Sequence, residues 1–142
     1  MNYLLDTCVL SELAKTRPEP RVVEWISTTP EERLHLSVLT LGELQKGIVQ
    51  LHDGERRKKL ARWLDEDVRV RFEGRILGLD EETLLEWGRL AGEAERRGRV
   101  LPVIDGLFAA SALASRMTLV TRNIADVNNL GVPLLNPWEK IA

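Results

Sequence analysis

Residues 1–13 read MNYLLDTCVLSEL. Tyr3, Leu4 and Leu5 form a short apolar run, an aspartate follows at once, and beyond Thr7 the pattern turns helical. If that run is a buried strand, Asp6 marks the point where the strand ends and a helix begins. In an open parallel sheet such ends are where sites form, in the crevice outside the carboxyl ends of the strands. The plain alternative is a turn or capping residue. Segments farther along the chain decide between them.

Outward from this stretch, short apolar runs alternate with longer amphipathic ones. The pattern predicts helices over Cys8–Ala14 and Arg21–Ser27 on either side of the Pro18–Pro20 turn. A second strand is expected at Leu34–Val38. From Thr40, the apolar residues Leu41, Leu44, Ile48 and Leu51 recur at helical spacing. Glu55–Val70 reads as another helix and Arg75–Leu79 as a short strand. Asp80 is placed to cap a helix running to Arg97, with Gly98 as its stop. A long helix is expected from Val103 to about Arg116, a strand over Thr118–Thr121, a short helix over Asp126–Leu130 and a last strand over Pro133–Leu135. Strands alternating with helices predict an α/β fold built on a largely parallel sheet.

In such a fold the acids beside the strand ends converge. Asp6 follows the first strand, and Glu43 is expected in the first turn of the helix after the second. Asp105 opens the helix DGLFAASALA, and Asn123 and Asp126 follow the strand TLVT. Singly, each is accounted for as a cap or a partner of a helix dipole. Together they would repel one another unless a cation neutralised them. Oxygen donors of this kind suit Mg²⁺ or Mn²⁺, with water and phosphate filling the remaining positions. Metal-assisted phosphodiester cleavage is the chemistry such a set supports.

Composition excludes other classes. A chain of 142 residues is the size of one ordinary domain. A single cysteine, Cys8, rules out an intrachain disulfide framework and suits a reducing cytoplasm. No signal peptide and no run of membrane-spanning length is present, so a cytoplasmic protein with no membrane partner is expected. Cys8 has neither a nearby histidine nor a phosphate-loop arginine, and reads as a packed small residue. An aspartyl-nucleophile phosphatase would need a second aspartate where Cys8 stands. The basic run Arg56, Arg57, Lys58, Lys59 and Arg62 reads as a solvated helix face supported by i,i+4 pairs such as Glu55–Lys59 and Asp65–Arg69. The four tryptophans look too scattered for a base-stacking platform.

The order LLDTCVLSEL, LTLGELQKGI, IDGLFAASALA and TLVTRNIADV resembles the PIN domain, in particular the VapC/FitB-like toxin ribonucleases of toxin–antitoxin systems. The resemblance spans essentially the whole chain, 1–142. It implies one PIN domain with a five-stranded parallel sheet flanked by helices, and a Mg²⁺-dependent endoribonuclease acting on RNA. It implies Asp6, Glu43 and Asp105 as the metal-holding core. The family's fourth acid falls in the segment holding Asn123 and Asp126; Asn123, where aspartate is common, offers a carbonyl oxygen but no charge. The resemblance further implies a homodimer, a cognate antitoxin bound in a groove near the first helices, and contact with operator DNA only through that antitoxin. The dimer patch is expected on the helices Thr40–Leu51 and Glu55–Leu64. The alternative is a weakly active PIN module that serves mainly in a repressor complex with a small DNA-binding partner.

Overall fold

The computed structural model describes residues 1–140. Its strands are β1 (Tyr3–Leu5), β2 (Leu34–Ser37), β3 (Ile76–Leu77), β4 (Thr118–Val120) and β5 (Leu134–Leu135). They form one five-stranded sheet in the order β3-β2-β1-β4-β5. Every pairing is parallel, with Leu4 opposite His35 on one side and Leu119 on the other. The chain steps from β1 outward through β2 and β3, then returns to lay β4 beside β1. The order therefore reverses between β1 and β4, and that reversal opens a crevice at the carboxyl ends of those two strands.

Side-chain alternation along the strands divides the interior into two layers. Leu5, Leu34, Leu36 and Val120 face helices α1 (Thr7–Leu13), α2 (Pro20–Thr28), α3 (Val38–Gln50) and α4 (Glu55–Arg62). Leu4 and Leu119 face the other way, toward α6 (Glu81–Arg96), α7 (Val103–Ala114) and α8 (Ile124–Val127). Buried Ala109, Ala110 and Ala112 keep α7 close to the sheet and to α6. At Gly106 a Cβ would come within 2.9 Å of a Leu101 side-chain methyl, so the first turn of α7 packs closely and a larger residue there would require Leu101 to shift. Asp80 caps α6 as expected, its carboxylate accepting from the Thr83 amide at 2.9 Å. Gly98, at φ +74, follows the end of that helix.

Several boundaries differ from the sequence expectation. The predicted helix over residues 55–70 is continuous, but Trp63–Val68 is wound as a π-helix before the last turn, α5 (Arg69–Arg71). Leu64, Val68 and Phe72, none more than 5% exposed, are the side chains this stretch sends into the core. β2 runs directly into α3 with no loop, so α3 starts at Val38. Its cap is Ser37, whose hydroxyl accepts from the Leu39 amide at 3.0 Å. Thr40 is consequently fully buried inside the first turn, and Glu43 lies in the second turn, not the first. The short helix expected at Asp126–Leu130 begins earlier, at Ile124. The third strand keeps only Ile76–Leu77, although the Arg75 carbonyl just before it still accepts from the Leu36 amide of β2 at 2.9 Å.

The apolar side chains of the expected dimer patch are at least partly buried in the single chain. Leu44 and Ile48 are core residues, and Leu41, Leu60 and Trp63 pack against the same core. What α1, α3 and α4 leave open is a groove of about 960 Å³ floored by Leu44, Ile48, Leu51, Leu60 and Trp63. Large apolar side chains face solvent on both helical layers, among them Val38 and Val49 of α3 on one and Leu85 and Val103 on the other. Among the described residues, no helix is long and apolar enough to cross a membrane.

Candidate active site

The crevice between β1 and β4 is a cleft of about 580 Å³ whose lining includes Asp6, Glu43, Asp105 and Asn123. Each arrives on a different element. Asp6 leaves β1 and caps α1. Glu43 projects from α3, Asp105 from the first turn of α7, and Asn123 from the turn after β4. Asp126, on α8, does not line the cleft. Its carboxylate is nevertheless near enough to Asp105 to act on it electrostatically.

Two of these acids are aimed by hydroxyls from distant segments. Asp6 Oδ2 accepts from Thr121 Oγ1 at 2.7 Å, while Asp6 Oδ1 accepts from the Thr7 amide, also at 2.7 Å. Thr121 in turn takes a hydrogen bond from the Asn123 amide at 3.0 Å. Glu43 Oε1 accepts from Thr7 Oγ1 at 2.6 Å, and Thr7 and Thr40 hydroxyls stand 3.1 Å apart. Thr7 thus ties Asp6 to Glu43 across the cleft floor. Asp105 differs, since no hydrogen bond among the described residues reaches its carboxylate. Burial pushes its pKa up, and the negative charges of Asp126, Asp6 and Glu43 push it further.

Cys8 touches the same acid, its thiol 3.4 Å from Asp6 Oδ2. Burial first, then the Asp6 charge, pushes the thiol up to about 12, so it stays protonated and is no nucleophile. The other wall of the cleft carries residues the sequence pattern did not single out. Glu12, only 5% exposed, accepts from Lys15 Nζ at 3.0 Å, from Trp138 Nε1 at 3.1 Å and from the Glu19 amide at 3.1 Å. Burial would raise its pKa, but these donors outweigh it and hold the carboxyl below the usual range. Trp138 is therefore a cleft residue, a role its scattered place in the sequence did not suggest. Arg122 lies with its guanidinium carbon 5.4 Å from the centre of the Trp138 ring. A clue available in the sequence was the adjacency of Arg122 to Asn123, since a residue that follows a strand end shares its edge.

The donor set toward a cation is all oxygen. Among the described residues no three acidic, histidine or cysteine side chains are drawn close enough to ligate one ion by themselves. Mg²⁺ commonly takes only one or two carboxylates and completes its shell with water and phosphate. Undonated Asp105, repelled by three neighbouring carboxylates, fits that mode of binding.

Fold and cleft together define an α/β protein with an acidic crevice at the reversal of its sheet. The chain belongs to the PIN domain family, whose sequence profile matches residues 3–125. It is 34% identical over 136 residues to "VapC ribonuclease Y4jK" of Sinorhizobium fredii, covering 96% of this chain and 97% of that one. It is 33% identical to "Toxin FitB" of Neisseria gonorrhoeae, covering 96% and 98%. Among solved structures, that of FitAB bound to an IR36 DNA fragment superposes with a TM-score of 0.92 at 31% identity, covering 99% and 98% of the two chains.

Proposed function

We propose that this protein is a divalent-metal-dependent endoribonuclease, the toxin of a cytoplasmic toxin–antitoxin pair. The observation that carries the proposal is the set of acids at the sheet reversal, with Asp105 left undonated among three other carboxylates. Membership of the PIN family and likeness to relatives named as a ribonuclease and a toxin support it. Asp6, Glu43 and Asp105 would hold Mg²⁺ or Mn²⁺, with Asn123 and Asp126 assisting. When bound, such an ion supplies positive charge to the phosphodiester oxygens and lowers the pKa of water.

The chain's own residues prepare the rest. Thr121 and the Thr7 amide hold Asp6 in one orientation, and Thr7 Oγ1 holds Glu43, so both carboxylates are positioned before substrate arrives. Asp105, with both oxygens undonated, is free to accept a ligand or a proton. The groove over α1, α3 and α4 shares Thr7, Ser11, Lys15 and Glu43 with the cleft. A segment of a cognate antitoxin lying in that groove would cover one side of the acids, and operator DNA would be met through the antitoxin alone. The protein would act as a homodimer, which sedimentation at micromolar concentration tests.

The deciding experiment incubates structured RNAs with wild type and Asp6→Ala, with Mg²⁺ and with chelator. Cleavage by wild type alone, and only with the metal, is the expected result. Cleavage by Asp6→Ala at the wild-type rate would overturn the proposal. Asn123, uncharged where an acid would complete the set, favours one second reading: a weakly active partner in a repressor complex. Metal-dependent turnover of RNA separates the two.

A further inference from the structure

A cleft lined by carboxylates must still admit a polyanion. Negative charge at the site repels RNA, and a metal ion offsets only part of it. The cleft needs a cation of its own that is not already neutralised. Two cationic side chains line it, Lys15 and Arg122. Lys15 is committed to Glu12 at 3.0 Å. Arg122, exposed and immediately beyond β4, has no carboxylate within ion-pairing distance among the described residues, despite the acids around it. It lies instead over the Trp138 ring. A guanidinium held against an aromatic face keeps its charge and leaves N–H donors at its edge for a phosphate.

The platform under Arg122 is itself fixed. Trp138 gives its indole N–H to Glu12, its backbone amide is bound by Asn136 Oδ1 at 2.9 Å, and its carbonyl accepts from Arg21 at 3.2 Å. Glu12 lies on α1, the helix that Asp6 begins. One helix therefore sets both an acid of the cleft and, through Trp138, the position of the cation facing it.

We propose that Arg122 binds a phosphate of the RNA beside the acids, and that Trp138, anchored on Glu12, is the positioning residue that aims it. This rests on the reading of the cleft as a ribonuclease site. Arg122 contributes a contact that needs no metal, so it is separable from the carboxylates. The rival account is a structural clamp, in which the arginine merely covers the tryptophan.

The test compares wild type, Arg122→Gln, Arg122→Lys and Trp138→Leu in three measurements: melting temperature, binding of a single-stranded RNA oligonucleotide in chelator across salt concentrations, and kcat and KM with Mg²⁺. Arg122→Gln is expected to weaken metal-free binding about tenfold with the melting temperature unchanged. It should reduce the slope of log affinity against log salt by roughly 0.7, the value of one phosphate contact on a single strand. Arg122→Lys should restore the slope but only part of kcat/KM, because an ammonium lacks the planar fork. Trp138→Leu should keep the slope and raise KM. A lowered melting temperature in Arg122→Gln with unchanged RNA affinity and slope would establish the clamp and overturn the proposal. A wild type that cleaves no RNA with any divalent ion defeats the ribonuclease reading, and this inference with it; that outcome is read from wild type alone.

Discussion

Two carboxylates on opposite walls of one cleft are treated in opposite ways. Glu12 is buried against Lys15, Trp138 and the Glu19 amide, each of which donates to it. Asp105 has no donor and faces Asp126, Asp6 and Glu43. The first is held below the usual carboxylate range and the second above it. An acid surrounded by donors is a strut whose charge is already balanced. An acid left among other acids makes the metal-free protein less stable, and a protein keeps such a group where something is to bind.

The contrast is sharpest in activity. Asp105→Asn, and likewise Asp6→Asn or Glu43→Gln, is expected to lower RNA cleavage by about 10³-fold or more, since several kcal/mol of charge stabilisation is withdrawn. The metal-free melting temperature should meanwhile rise or hold level, because a repulsive charge is gone. A large loss of stability in Asp105→Asn would mean that the acid is a structural one like Glu12.

Glu12→Ala should do the reverse. It strands a buried indole N–H and a backbone amide and releases Lys15, at a cost of roughly 2–3 kcal/mol. Denaturant titration measures that loss. Cleavage per folded molecule should fall far less than in Asp105→Asn, and equal losses of activity in the two variants would erase the distinction.

The two walls should also answer pH with opposite signs. Asp105 has a raised pKa, so its contribution to metal-free stability is fully present below its ordinary value of 3.8 and is lost as pH rises through the raised one. Glu12 has a lowered pKa; its contribution is present above the ordinary 4.5 and is lost as pH falls through the depressed one. Stability of Asp105→Asn and Glu12→Gln relative to wild type, followed from pH 7 downward, should converge on wild type from opposite sides. Parallel curves would show that both acids sit in equivalent surroundings.

The smallest expected effect concerns the segment after β4. Asn123→Asp should tighten Mg²⁺ or Mn²⁺ binding severalfold, read as a larger metal-induced rise in melting temperature. An unchanged rise would assign the fourth acid to Asp126, and Asp126→Asn should then reduce it.

Much of the fold was legible in the sequence because each layer is written locally. Leu4 and Leu5 face opposite cores, as period-two alternation requires, and Leu44 and Ile48 share the inner face of α3. The π-wound stretch Trp63–Val68 was not legible. Leu64, Val68 and Phe72 recur at every fourth residue, a spacing that α and π winding both place on one face, so the pattern does not tell the two apart. The start of α3 was missed because the helical spacing becomes visible only from Thr40, while Ser37 reads as part of the strand Leu34–Val38. The choice between them depends on β2 entering the helix without a loop.

For the site, the sequence by itself determined that acids stand at strand ends and helix starts, since those junctions are local events. What only the tertiary structure decided is which of those ends meet. Laying β4 beside β1 brings Thr121 to Asp6 from 115 residues away, and closing the C-terminal segment over α1 brings Trp138 to Glu12 from 126 residues away. Periodicity records which face a side chain takes, but not which strand lies next to it. The second depends on the order of the sheet, set by packing of both layers at once.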